Sequence, residues 1–286
     1  MNTNDCFKLA NGVEIPKLML GTWLMNNDEA EQAVKAAVAM GYTGIDTAEA
    51  YGNEAGVGKA IRTCGVPREN LFVTTKVVAE AKSYDAASLA IENSLKTLDT
   101  DYIDLMIIHA PQPWAEFRSD KRYFAENKDA WRALEDAYFA GKLKAIGVSN
   151  FLVDDLENLL EDCRVKPMVN QVLAHISNTP FDVIDFCQNN DILVEAYSPV
   201  AHGAILHNAG VQAIAGKYSV SVTQLCLQYD IQLGMVVLPK TANPDHMCEN
   251  MNLDFTISDE DMNTLKAMKK IEDYGPDKAF PVFAKG

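Results

Sequence analysis

Eight short runs rich in Val, Ile, Leu and Met recur along the whole chain, and that repeat limits the fold more than any other feature. They read LMLGTW (18–23), YTGIDT (42–47), LFVTTKV (71–77) and IDLMIIH (103–109), then LKAIGVS (143–149), PMVNQV (167–172), ILVEAYS (192–198) and MVVLPK (235–240). Most are nearly continuous in apolar residues, as strands buried on both faces of a parallel sheet must be. Helical patterns lie between them. Ala30, Ala33, Val34, Ala37 and Val38 fall at helical spacing before Gly41. Ser83 is placed to cap a helix carrying Leu89, Ile91, Leu95 and Leu98, and Leu156, Leu159 and Leu160 form a third stripe.

Eight strands alternating with helices predict an α/β fold of the parallel (β/α)8 TIM-barrel type; a doubly wound sheet is the alternative. The length of 286 residues suits one such barrel. No linker or shift in composition interrupts it, so residues 1–286 are read as a single domain. In FKLANGVEI, Asn-Gly between two short runs predicts a hairpin capping the barrel bottom.

A net charge of −15 argues against nucleic-acid partners and docking on acidic membranes. No apolar run approaches the ~18 residues of a membrane span. The opening MNTNDCFKLANG has neither a basic nor an apolar leader region, so a cytoplasmic location is expected. Six scattered cysteines form no CxxC pair and no metal-ligand spacing; reduced thiols and no metal are expected.

Chemistry in such barrels lies where strands end and βα loops begin. The second run ends at Asp46 with Tyr51 just beyond, the third presents Lys76, and the fourth presents His109 before a proline. A lysine beside the phenol is expected to favour phenolate and lower its pKa, while Asp46 holds that lysine charged. Tyr51 then serves as a proton donor near neutral pH. Each residue alone has a plainer reading, an Asp–Lys ion pair or a satisfied core histidine. Four polar groups at three consecutive strand ends are harder to bury without function, because unpaired burial costs several kcal/mol.

With these residues placed, the chain resembles the aldo-keto reductase family, in particular bacterial diketogluconate and aldehyde reductases. The resemblance runs from LGTW (20–23) to ENMNLDF (249–255). It rests on GYTGIDTAEAYGNEAGVGKAI, TTKV, DYIDLMIIHAP, GKLKAIGVSNF, NQV, AYSP and LPKTANP. It implies a catalytic tetrad of Asp46, Tyr51, Lys76 and His109 and NADPH as cofactor, with NADH weaker. It implies that Ser149, Asn150 and Gln171 hold the nicotinamide carboxamide and that Tyr197 stacks on the ring. Further cofactor contacts are implied for Gly21, Thr22, Asp46, Ser198, Val200, Lys240, Thr241, Ala242, Asn243, His246, Glu249 and Asn250. Trp23, Tyr51, His109 and Trp114 would line the pocket of a small carbonyl substrate, an aldehyde or ketone, keto acids and diketo sugars included. A monomer is the family expectation.

The residues themselves supply an anion site in TANPDH, with Asn243 as N-cap, Pro244 at the first helical position and free backbone N–H groups behind them. Ser149-Asn150 can equally cap the next helix. NEAGVGKA has a phosphate-loop look, but Asn53 and Ala60 break that pattern. Three departures from the family stand out: Leu173 follows NQV where an acid is common, AYSPV-AH replaces AYSPL-G, and His246 stands where many members carry arginine. Only twelve residues follow Tyr274, too few for a long loop over the pocket. The stretch APQPWAEFRSDKRYFAENKD interleaves aromatics with Arg118, Lys121 and Arg122. Those bases either attract anionic substrates or belong to a solvated loop, the plainer reading. Two other functions fit the pattern less well: an aldolase-like lyase forming a Schiff base on Lys76, and a non-catalytic NADP(H)-binding regulatory subunit.

Overall fold

The computed structural model describes residues 5–271 and 273–284. Its first element is the antiparallel hairpin β1 (Cys6–Lys8) and β2 (Glu14–Pro16). The turn follows the Asn-Gly signal: Gly12 takes φ +88°, and the Leu9 N–H donates to the Val13 carbonyl. Leu9 and Ile15 are buried against inward-facing strand residues such as Leu105, Ile107, Ala145 and Val169. Asn11 Nδ2 also donates to the Lys144 carbonyl at the start of a barrel strand, at 2.9 Å. The hairpin therefore closes the barrel bottom, as its sequence predicts.

All eight apolar runs become strands: β3 (Leu20–Gly21), β4 (Gly44–Asp46), β5 (Phe72–Val77), β6 (Ile103–Ile108), β7 (Leu143–Ser149), β8 (Val169–Leu173), β9 (Leu193–Tyr197) and β10 (Val236–Leu238). Each pairs parallel with its neighbour in chain order. Bridges Leu18–Val237 and Gly21–Lys240 join the first and last strands and close the cylinder. In β6, Leu105 and Ile107 face the lumen while Met106 and Ile108 face the helices, so every residue is buried and no alternation shows in the sequence.

Among the described residues ten α-helices surround the strands: α1 (Asn27–Met40), α2 (Glu54–Thr63), α3 (Tyr84–Leu98), α4 (Phe124–Phe139), α5 (Val153–Leu160), α6 (Phe181–Asn189), α7 (Ala209–Lys217), α8 (Val222–Gln232), α9 (Pro244–Met251) and α10 (Asp259–Lys266). In α1 the five residues of the expected stripe are all buried, and Gly41 ends the helix at φ +106°. Ser83 caps α3 by accepting from the Ala86 N–H. The face of that helix differs from expectation. Ala87, Ala90, Ile91, Ser94 and Leu98 are buried while Leu89 is 62% exposed, because tight packing on the barrel takes the small residues.

Candidate active site

At the C-terminal rim β4 ends in Asp46, and a 3-10 turn over Glu49–Tyr51 presents Tyr51. Lys76 is the penultimate residue of β5, and His109 follows β6 directly, its N–H donating to the Val77 carbonyl. Lys76 is fully buried, with Nζ 2.6 Å from Asp46 Oδ1 and 2.8 Å from the Thr47 carbonyl. Burial alone would pull the ammonium's pKa down, but Asp46 and Tyr51 more than offset it, so the net shift is upward and the lysine stays charged. Its Nζ lies 4.9 Å from the Tyr51 ring centroid.

The expected drop in the Tyr51 pKa is not what the geometry gives. Burial raises it, Lys76 lowers it by less, and Asp46 adds to the rise, so the phenol is firmly protonated at neutral pH. His109 packs edge-on to Tyr51 at 5.7 Å. Burial, reinforced by Lys76, holds its pKa well below the ordinary value, so the ring is neutral. Its Nδ1 has no partner among the described residues.

A fifth ionisable group was not singled out by the sequence reading. Glu195 of β9 pairs in register with Gln171 of β8 and is fully buried. Gln171 Nε2 donates both to Asp46 Oδ2 at 2.9 Å and to Glu195 Oε2 at 2.7 Å. Burial first, and then Asp46, push the Glu195 carboxyl up to about 8, so it is a neutral acid at pH 7. The available signal was a lone carboxylate inside the apolar run ILVEAYS. Such a residue must point into the lumen or stay uncharged.

Ser149 and Asn150 do not cap the next helix, which begins at Val153 after Leu152. Asn150, at φ +63°, donates through Nδ2 to the His109 carbonyl at 3.1 Å and to Ser149 Oγ at 3.0 Å. Its Oδ1 accepts from the Tyr197 hydroxyl at 2.7 Å. Ser149, Asn150, Gln171 and Tyr197 thus form one connected wall beside Asp46 and His109. Thr22 Oγ1 donates to the Asp46 carbonyl at 3.0 Å.

Farther along the rim, Asn243 Oδ1 caps α9 by accepting from the Asp245 N–H at 2.9 Å, with Pro244 at the first position. Thr241 Oγ1 accepts from the Asn243 N–H at 3.1 Å and lies 3.5 Å from His246 Nδ1. Lys240 is exposed and has no ion pair among the described residues, and its bridge to Gly21 sets it beside the first strand. Ala242 is exposed, Glu249 half-buried, and Asn250 buried with Oδ1 unpartnered. Ser198 (φ +54°) and Val200 are half-buried on the loop after β9.

The short tail folds back onto Trp23. Residues 273–284 form two 3-10 turns, Gly275–Ala279 and Pro281–Phe283, and the Phe280 ring packs against Trp23 at 4.8 Å. His202, on the loop after β9, joins them. It meets Trp23 at 5.6 Å and Phe283 at 4.3 Å, its Nε2 contacts Ser198 Oγ at 3.0 Å, and its Nδ1 pairs with Asp277 at 2.9 Å. Counting tail length missed this, because aromatic spacing decides what a short segment can cover. Trp114 packs edge-on to His109 at 5.1 Å.

The aldo/keto reductase family model matches residues 17–270. A glyoxal reductase of Bacillus subtilis is 44% identical over 274 residues, 95% of each chain. An aldo/keto reductase structure from Brucella melitensis superposes with a TM-score of 0.85 at 38% identity, covering 92% of this chain and 98% of the other. A Bombyx mori aldo-keto reductase solved with NADP superposes at 0.85 and 31% identity, covering 98% of both chains. A closed eight-stranded barrel, the motifs on its rim and these relatives agree: the chain belongs to the aldo/keto reductase family.

Proposed function

We propose that the protein is an NADPH-dependent reductase of aldehydes or ketones, with Tyr51 as proton donor and Lys76, Asp46 and His109 completing the catalytic set. The observation that carries this reading is the intact group of four. A protonated phenol stands beside a buried, charged lysine and a neutral histidine with an unclaimed ring nitrogen.

The residues fit the cofactor. The N-terminus of α9 with Lys240, Thr241, Asn243 and nearby His246 suits the adenosine phosphate. The wall of Ser149, Asn150, Gln171 and Tyr197 suits a flat carboxamide-bearing ring. Gly21, Thr22, Ser198 and Val200 are assigned to the stretch between those two ends, and Ala242, Glu249 and Asn250 to the α9 end. NADPH supplies the hydride when bound, as the complex of the Bombyx mori relative with NADP supports. NADH is expected to serve less well, since the exposed Lys240 ammonium favours a phosphate.

His109 and Tyr51 together hold the substrate's carbonyl oxygen, whose carbon then takes the hydride. Tyr51 passes its proton to that oxygen, giving an alcohol, and the phenolate left behind is stabilised by the Lys76 ammonium. Asp46 keeps that ammonium charged. Trp23 and Trp114 wall the pocket on two sides. The name of the Bacillus subtilis relative supports small dicarbonyls among the substrates.

A Schiff base on Lys76 is disfavoured, because a charged amine tied to Asp46 and the Thr47 carbonyl has no free lone pair. Asp46, Tyr51, Lys76 and His109 come from successive strand ends of one barrel and need no second copy to complete the set, a reading consistent with a monomer and a single domain. Six free cysteines support a reducing, cytoplasmic location. Incubation with NADPH and a panel of aldehydes, 2-keto acids and diketones tests the reading by loss of cofactor absorbance. Consumption with none of them would overturn it.

A further inference from the structure

The loop after β6 does not carry a basic cluster. Lys121 pairs with Glu116 at 3.5 Å and donates to the Tyr123 hydroxyl at 2.6 Å, and Arg122 is taken by Asp154 and Asp155. Arg118 alone has no ion pair and no side-chain hydrogen bond among the described residues. Its guanidinium carbon rests 4.5 Å from the Phe117 ring centroid. That ring is one end of a continuous aromatic row: Phe117 to Trp114 at 5.3 Å, Trp114 to His109 at 5.1 Å, His109 to Tyr51 at 5.7 Å.

The loop is built to hold this arginine. Gln112 is buried, and its Nε2 donates to the carbonyls of Ser119 at 2.9 Å and Lys121 at 2.7 Å. Its Oε1 accepts from the Arg118 N–H at 2.7 Å and fixes Arg118 at φ +62°, a conformation unfavourable for a side-chain-bearing residue. Although the residue as a whole is exposed, its guanidinium end is desolvated enough for burial to lower its pKa. Tyr197, Asp155, Arg122 and Asp154 act on it from around the rim. Guanidinium remains charged regardless. An arginine stacked on Phe117, with no ion pair among the described residues and at the outer end of the aromatic row that leads to His109 and Tyr51, is suited to grip a carboxylate with two parallel hydrogen bonds.

We propose that Arg118 binds the anionic group of the substrate, and that the enzyme prefers carbonyl compounds bearing a carboxylate over neutral ones of the same shape. This rests on the reductase reading and names its substrate class. The strained loop conformation and the bond to Gln112 hold the Arg118 backbone, and the contact to the anionic group is the same in the bound substrate and during the reaction, so the preference lies mainly in KM.

Two matched aldehydes test it: 4-carboxybenzaldehyde and its neutral methyl ester, each assayed with NADPH. Wild-type kcat/KM is expected to favour the carboxylate by about tenfold, the scale of a charge-assisted contact. Arg118→Gln should abolish the ratio through KM, Arg118→Lys should restore part of it, and added salt should erode it in the wild type only. A wild-type ratio near one, or a ratio unchanged in Arg118→Gln, overturns the proposal. Quenching of Trp114 fluorescence by terephthalate reads the same site without turnover. Quenching lost in Arg118→Gln supports the assignment even were neither aldehyde reduced, an outcome that would sink the reductase reading alone. Quenching unchanged in the variant overturns the assignment.

Discussion

Replacing Glu195 by Gln removes an ionisable group from the barrel lumen and barely changes its shape. The amide oxygen of the variant can still accept from Gln171 Nε2, as Glu195 Oε2 does at 2.7 Å. What changes is the proton balance of folding. An unfolded glutamate titrates near ~4.3, whereas burial and Asp46 push Glu195 up to about 8 in the fold. Between those values the folded chain holds a proton that the unfolded chain has released. Stability therefore falls as pH rises through the window. At about 1.4 kcal/mol per unit, the cost reaches roughly 4 kcal/mol at pH 7 and vanishes near pH 4. Glutamine cannot ionise in either state. Glu195→Gln should thus be more stable than the parent by about 2 to 4 kcal/mol at pH 7, with the gain shrinking steadily toward pH 5. Urea unfolding of both proteins at pH 5, 6, 7 and 8 reads this directly. A stability difference that stays flat across those pH values would refute a neutral Glu195.

Tyr51→Phe should lower kcat by at least ~100-fold, the scale of lost general-acid catalysis. Its NADPH dissociation constant, measured by fluorescence titration, should change little. Lys76→Met should destabilise the fold by about 3 to 5 kcal/mol in urea, because it strands the buried Asp46 carboxylate; a loss under ~1 kcal/mol would show that Asp46 finds another partner. His246→Arg should tighten NADPH binding by about tenfold while leaving NADH nearly untouched, since arginine grips a phosphate bidentately. Equal effects on both cofactors would place His246 away from the adenosine phosphate.

The barrel was legible because its signal is redundant. Eight apolar runs each sit on both faces of the same wall, so a misjudged boundary in one leaves the count intact. Asp46, Tyr51, Lys76 and His109 were legible because strand ends in a parallel barrel share one rim, and sequence position along each run fixes which residue arrives there. Arg118 was visible only as one of three bases, since which of them is neutralised depends on Glu116, Asp154 and Asp155, and two of those lie more than thirty positions away. The Tyr51 pKa was misjudged for a related reason. A neighbouring cation can be read from spacing, but the depth of burial that outweighs it belongs to the packed fold. Glu195 leaves one mark in the sequence, a carboxylate inside an apolar run, but its partners Gln171 and Asp46, like the Asp277 partner of His202, come from other strands or from the far end of the chain.

The two glycines of NEAGVGKA, passed over as a phosphate loop, have a different importance. A methyl group at Gly56 would meet the Asn27 carbonyl oxygen at 2.1 Å, and one at Gly58 would meet that of Leu98 at 2.4 Å. Helix α2 is therefore wedged between the first turn of α1 and the last turn of α3, with backbone against backbone. Neither clash can be relieved by a rotating side chain. A random-mutagenesis screen should find Gly→Ala at 56 or 58 among the inactive clones, although alanine is the better helix former. Those clones would fail by low yield of folded protein, whereas clones altered at Arg118 would fold and misread their substrate. For anyone diversifying this enzyme, α2 belongs with the positions held constant and the loop around Arg118 with those set free.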